Sequence, residues 1–475
     1  MFINRQQELE FLEERYRSGQ AELIIVTGRR RTGKTTLLNH FCALCEKPHI
    51  FFIGDFGAEP VLRQRFSSAI LEFETGVAEA LSFDTWEAAF MRLGRLARDR
   101  RLIAVIDEFP YLIRADSGIP SILQRVWDQS LRHTQLMLVL TGSNLSIMRH
   151  DVLEYRSPLY GRRTGQWFLK PLDPWDAGQM LPKYNSRQRL ESYATLGGVP
   201  AYLEQFDDRR SVMVNVEKQI LRPGAPLYEE PRALLSTEME LREPAIYYAI
   251  LRAVATGRRG ATEIARAIGK HGATDIQRHL TVLSNGVQLL RRDTPQRSVP
   301  PQPRARGRWR FADPFFAFWF TFVYPHIPML ERGGAAVVLR EQIQPHWQAF
   351  VGRGAWETVC REYLWRLARQ GVLPFFPDHV GRWWSRDHEI DVVAVNYAQR
   401  RAILGEAKWT MEKTGLPALN ALKARRTAWL ADAPEADWDI TYALFGRGFA
   451  EKLHAMAEGD DTLQLIEVEQ VMSPE

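Results

Sequence analysis

Eight residues, Gly28-Arg29-Arg30-Arg31-Thr32-Gly33-Lys34-Thr35, constrain this 475-residue chain more than any other stretch. They follow an apolar, β-branched run at 22–27 (ELIIVT) and precede Thr36-Leu37-Leu38, which has helical character. Strand, Gly-rich loop, then helix is the context in which G-x-x-x-x-G-K-[ST] cradles phosphate. Two glycines let backbone N–H groups close on an anion, and the helix N-terminus adds its dipole. Lys34 then reaches the β- and γ-phosphates and the Thr35 hydroxyl ligates Mg2+. Residues 28–36 are thus expected to bind a nucleoside triphosphate.

Two further strands carry polar tips. The run 102–106 (LIAVI) ends in Asp107-Glu108. Asp107 is placed to hold Mg2+, and Glu108 to accept a proton from attacking water. The run 136–140 ends in Thr141-Gly142-Ser143-Asn144, where Ser143 and Asn144 either face the γ-phosphate and water or form a turn and helix cap. Runs at 48–53 and 165–170 complete five strands alternating with helical segments. That alternation predicts an α/β fold with a parallel sheet and its ligand at the strand C-terminal ends.

Composition narrows the rest. Hydrophobic residues are 45% and charged residues 25%, values that exclude a fibrous or wholly disordered chain. Three cysteines cannot staple a chain this long, so a reducing, cytoplasmic setting is expected. The N-terminal MFINRQQELEFLEER lacks the apolar stretch of a signal peptide. The densest apolar run, 315–324, is far short of the ~20 residues of a membrane span.

The net charge of +5 is unevenly spread, for residues 252–310 hold thirteen Lys or Arg against three acids. A basic block in an otherwise mildly acidic chain suggests an anionic partner, most economically DNA. Its periodicity predicts helices at 245–255, 261–268 and 275–285, then strands at 287–292 and 308–311. This is a winged helix-turn-helix pattern, with Gln277 and Arg278 on the outer face of the third helix and Arg304 and Arg306 in the wing tip. Winged helices also dock proteins, so a protein partner stays open.

Residues 389–396 and 401–409 read as a hairpin. Closed symmetrically about 397–400, it sets Asp391 opposite Glu406 and Glu389 opposite Lys408, with Asp391, Glu406 and Lys408 on one face. Facing carboxylates repel by up to ~1 kcal/mol unless compensated, which a second divalent metal at Asp391 and Glu406 would do. The D-x14-E-x-K spacing resembles the PD-(D/E)xK nuclease core, with Glu357 as the accompanying helix acid. The bland alternative is an ordinary Glu389–Lys408 pair with solvated acids.

Taken together, INRQQELEFL (3–12), GRRRTGKTTLL (28–38), LIAVIDEFPYL (102–112), LTGSNLSIM (140–148), SPLYGRRTG (157–165), GGVPAYL (197–203) and FADPFFAFWFTFVYP (311–325) resemble a prokaryotic, chiefly archaeal, family of AAA-type or STAND-like P-loop ATPases. The resemblance implies ATP rather than GTP, and an AAA-type core with helical lid, winged helix and nuclease-like C-terminal domain. The divisions expected are 1–171 (ATPase core), 172–240 (lid), 241–312 (winged helix), 313–350 (aromatic connecting helices) and 351–475 (nuclease-like domain). It also places Asn4, Arg5 and Glu8 near the base, and makes Arg162 or Arg163 a candidate arginine finger, which in trans would need a homo-oligomer. Three functions compete: a DNA-coupled ATPase, an ATP-dependent signalling switch with a protein partner, and an ATP-gated metal-dependent nuclease.

Overall fold

The apolar runs of the first 171 residues line up as five parallel strands: β1 (Glu22–Thr27), β2 (His49–Ile53), β3 (Leu102–Asp107), β4 (Leu136–Gly142) and β5 (Gly165–Phe168), in the order β2-β3-β4-β1-β5. The computed structural model describes residues 2–44, 47–77, 81–238, 243–300, 307–432 and 437–473. The chain divides into two units, Met1–Pro171 and Leu172–Glu475.

In the first unit the period of two sends alternate side chains to opposite faces of the sheet. Leu23 and Ile25, Ala104 and Ile106, and Leu138 and Leu140 enter one core; Ile24 and Val26, Ile103 and Val105, and Met137 and Val139 enter the other. Both faces are covered by helices, which is why β1, β3 and β4 read as unbroken apolar runs. Because β4 lies between β1 and β3, its tip, Thr141-Gly142, sits between the phosphate loop and Asp107. Thr27 pairs with Gly142, and Ile106 with Leu140.

The second unit begins with helices through residue 238. Helices Pro244–Ala255, Ala261–Ala267 and Ala273–Thr281 follow, then an antiparallel ribbon of β6 (Leu290–Asp293) and β7 (Arg308–Phe311). The aromatic run is helical from Pro314 to His326, and Phe315, Phe316, Phe318, Trp319, Phe320 and Phe322 are all buried. A mixed sheet closes the unit: β8 (His379–Trp384), β9 (Glu389–Asn396), β10 (Arg401–Ala407), β11 (Asp439–Gly446) and β12 (Leu463–Glu467), in the order β12-β11-β10-β9-β8. The β9–β10 hairpin has the symmetric register, Asn396 with Arg401 through Val392 with Gly405. One continuous apolar core runs from Leu172 to Met472, and a smaller one fills the other side of the mixed sheet.

Candidate functional site

The turn from β1 into the helix Lys34–Ala43 is shaped by its glycines. Gly33 has φ +93°, a conformation that side chains resist, and a Cβ on Gly28 would lie 2.6 Å from the carbonyl oxygen of Leu169. Arg31 also has positive φ, at 66°. The Thr32 hydroxyl donates to the Arg29 carbonyl at 2.7 Å. Lys34 is buried, its Nζ donating to the carbonyls of Gly28 at 3.0 Å and Arg29 at 3.1 Å. Arg29 and Thr32 are buried, whereas Arg30, Arg31 and Thr36 are exposed.

Two strand tips, those of β3 and β4, converge beside this loop. Asp107 accepts from the Thr35 hydroxyl through Oδ2 at 2.5 Å and from the Thr141 hydroxyl through Oδ1. A hydroxyl and a carboxylate are hard oxygen donors, so the pair Thr35 and Asp107 fits Mg2+. Glu108 follows with φ 53°, an uncommon backbone for a glutamate, held by the Phe109 N–H donating to the Thr141 carbonyl at 2.8 Å. Its Oε2 accepts from Ser143 N at 3.1 Å and Ser143 Oγ at 2.9 Å. Strand order therefore brings Lys34, Thr35, Asp107, Glu108 and Ser143 together. Thr141 was the residue sequence reasoning left without a role; its place in the polar tip of β4 was the available signal.

The other expected residues have different partners. Arg5 joins the loop, donating to the Thr32 carbonyl at 3.2 Å and to Glu8 at 3.1 Å, with Asn4 exposed before it. Asn144 caps a short helix, accepting from Ile147 N at 3.0 Å. Arg162 is paired with Asp128 at 2.9 Å. Arg163 donates to the Leu153 carbonyl at 3.0 Å and lies over the Tyr160 ring. Both guanidiniums are thus taken up outside the nucleotide loop.

In the second unit the acids meet cations. Glu406 is buried between Lys408 at 2.6 Å and Arg425 at 2.5 Å. Glu357 is buried and accepts from Arg382 Nη2 at 2.7 Å. Asp391 Oδ2 accepts from Ala407 N at 3.1 Å, and the Asp391 carbonyl from Arg361 at 2.8 Å. Among the described residues, no three His, Cys, Asp or Glu side chains are arranged to hold a metal ion. Glu406 is already paired with Lys408 and Arg425, so this donor set does not fit a second divalent metal as it stands. The expected Glu389–Lys408 pairing is also replaced: Lys408 N turns to the Phe445 carbonyl of β11, and Glu389 binds Arg308, Arg310 and Arg382.

Asp391 gives a pH signature. Burial, then the Glu406 charge, pushes its carboxyl from 3.8 up to about 6. The folded chain therefore holds this proton more tightly than the unfolded chain. The resulting stability is complete below about pH 4 and lost as pH rises through about 6. Asp391→Asn, in metal-free buffer, should be more stable than the parent at pH 8 by roughly 3 kcal/mol, with the gap narrowing as pH falls through 6 toward 4. Urea melts across that range check it; a gap that does not depend on pH would mean Asp391 titrates normally.

Gln277 and Arg278 are exposed on the helix Ala273–Thr281, whose Ile276 and Leu280 are buried. Arg258, Arg266 and Lys270 are exposed nearby in sequence. Arg304 and Arg306 lie outside the described residues. No helix among the described residues is long and apolar enough to cross a membrane.

Residues 2–206 match the family described as "ATPase domain predominantly from Archaea". Residues 319–420 match a second family, of archaeal and bacterial proteins of unknown function. An uncharacterized protein of Methanocaldococcus jannaschii is 34% identical over 410 residues, 86% of this chain and 88% of its own. An uncharacterized ATP-binding protein of the same organism is 56% identical over 41 residues, 9% of this chain and 70% of its own. Among solved structures, a Walker-type ATPase of Pyrococcus abyssi is similar at TM-score 0.49 and 22% identity, covering 67% of this chain and 96% of that one. With its phosphate loop, its acidic strand tip and a relative alike along most of both chains, this chain belongs to the family of P-loop proteins built on an ATPase domain found predominantly in Archaea.

Proposed function

We propose that the chain is a Mg2+-dependent ATPase that couples ATP turnover to duplex DNA. The observation that carries the first half is the bridged carboxylate Asp107, tied to Thr35 on one side and Thr141 on the other, with Glu108 held by Ser143 alongside. Bound Mg2+ would supply charge neutralisation at the β- and γ-phosphate oxygens. Thr35 and Asp107 would hold it, and the Lys34 ammonium neutralises phosphoryl charge that grows in the transition state. Glu108 takes the proton of the attacking water as the bond from the γ-phosphorus to the leaving ADP oxygen breaks, giving ADP and phosphate. Ser143 fixes the direction of that carboxylate. Arg162 and Arg163 join only after leaving Asp128 and the Leu153 carbonyl, in the same copy or in a second one.

DNA coupling is supported by the three helices and β6–β7 ribbon, read as a winged helix. Arg258, Arg266, Lys270 and Arg278 are exposed there and form no ion pair among the described residues. One observation favours a second reading, an ATP-dependent switch that holds a protein partner and carries an inactive nuclease-like domain: Glu406 and Glu357 are already neutralised by Lys408, Arg425 and Arg382.

ATP hydrolysis measured with and without duplex DNA, across a salt titration, separates the two. Stimulation that fades steeply as salt rises supports DNA coupling. Slow turnover indifferent to DNA sinks it and supports the switch. Mn2+-dependent cleavage of DNA that disappears in Asp391→Ala and Glu406→Ala would instead revive the nuclease.

A further inference from the structure

We propose that Glu389 and Asp432 stand where DNA phosphates would otherwise bind the β6–β7 ribbon, so that the C-terminal sheet and a duplex backbone compete for the same arginines. This rests on the DNA-coupled reading above.

The segment after β6 meets β8, the edge strand of the mixed sheet. Gln296 N donates to the Arg382 carbonyl on β8 at 2.8 Å. The Trp429 indole donates to the Gln296 carbonyl at 3.0 Å, and Ser298 Oγ to the Trp429 carbonyl at 3.0 Å. Trp309 N donates to the Arg259 carbonyl at 2.8 Å, which ties the ribbon to the turn opening the helix Ala261–Ala267.

The ion pairs over this contact are graded from inside to outside. Arg382, with a side chain 3% exposed, binds Glu357 and Glu389, and Arg310, 11% exposed, binds Asp293 and Glu389. At the rim Arg308 is 30% exposed and pairs with Glu389 at 3.2 Å, while Arg297 is 46% exposed and pairs with Asp432 at 3.4 Å. Exposed pairs exchange partners readily because water screens them; buried pairs do not. The guanidinium fork donates two parallel N–H bonds to a carboxylate or a phosphate alike. Arg308 is further steadied 4.7 Å above the Trp384 ring, which leaves its charge in place while its partner changes. A duplex can therefore take Arg308 and Arg297 from Glu389 and Asp432 while the Arg382–Glu357 pair stays closed, loosening the ribbon from its outer end.

The test is Glu389→Gln combined with Asp432→Asn in the full chain, neither residue belonging to the nucleotide site. Expected are duplex affinity roughly tenfold higher and a log–log salt slope steeper by about two, one for each freed arginine. The Gln296 amide should also exchange hydrogen faster. Adding Arg297→Ala and Arg308→Ala should remove the gain in affinity and slope. A parent that binds duplex beside a variant that binds it no tighter overturns the competition alone. So does an unchanged Gln296 amide, which would show that these pairs do not hold the ribbon. Parent and variant that both ignore duplex at low salt overturn the DNA-coupled reading, and the competition with it.

Discussion

Replacing Lys34 by alanine should lower ATP turnover by at least ~10²–10³-fold, the loss typical when one preorganised donor is taken from a developing oxyanion. The lysine is buried and its Nζ also bonds the Gly28 and Arg29 carbonyls, so the loop itself loosens in the variant. The Arg29 carbonyl keeps the Thr32 hydroxyl, but the Gly28 carbonyl loses its Nζ donor at a cost of about 1–3 kcal/mol. A companion, Glu108→Gln, keeps an oxygen for the two Ser143 donors but removes the proton acceptor. It should bind nucleotide and not hydrolyse it, whereas Lys34→Ala should be impaired in both. Phosphate release in a single turnover and equilibrium binding of a fluorescent ATP analogue distinguish the pair. Hydrolysis that survives in a clean Lys34→Ala preparation would remove the nucleotide site from this loop.

The second large effect is on stability. Arg382→Ala should destabilise the second unit by roughly 3–5 kcal/mol, because it takes away the cation 2.7 Å from the buried Glu357 and leaves it only Arg361 at 4.0 Å. Arg382 is 3% exposed, 2.7 Å from Glu357, 3.3 Å from Glu389 and 3.7 Å from Asp293. Burial first, and then the Asp391 charge, already pushes the Glu357 carboxyl well above the usual carboxylate range. Replacing both partners, Arg382→Met with Glu357→Leu, should recover most of the loss, since apolar groups need no partner. Denaturant melts followed by tryptophan fluorescence give the comparison. A double variant no better than Arg382→Ala would show that Arg382 works through Glu389 and Asp293 instead.

The parts of this chain that could be read from sequence are those whose physics is local. The phosphate loop, the strand tips at Asp107 and Thr141, and the hairpin between Val392 and Gly405 all follow from spacing a few residues long. The neutralisation of the acids could not be read in that way. Arg425 meets Glu406 from a helix 19 residues on, and Arg382 meets Glu357 from 25 residues away, with no periodicity linking either pair. The ion pairs around the β6–β7 ribbon were hidden for a related reason. Its arginines read as spare positive charge, yet Arg308 and Arg310 pair with Glu389 on β9 and Arg297 pairs with Asp432, just past the helix Leu416–Leu430. Arg162 shows the same limit at smaller scale, since Asp128 lies 34 residues earlier.

The core running from Leu172 to Met472 has a consequence for how the chain is made. The Trp175 indole donates to the Val471 carbonyl at 2.6 Å, and Arg366 to the Ser473 carbonyl at 2.9 Å. A ribosome adds residues in order, so the first unit has all its strands while the last three hundred residues are still being translated. The second unit has no such early finish: Trp175 waits for the Val471 carbonyl, which is translated 296 residues later. Throughout that interval a nascent chain presents a finished nucleotide site beside an unfinished apolar cluster. A premature stop just before Val468 should therefore spare ATP binding while leaving the second unit a target for chaperones and proteases.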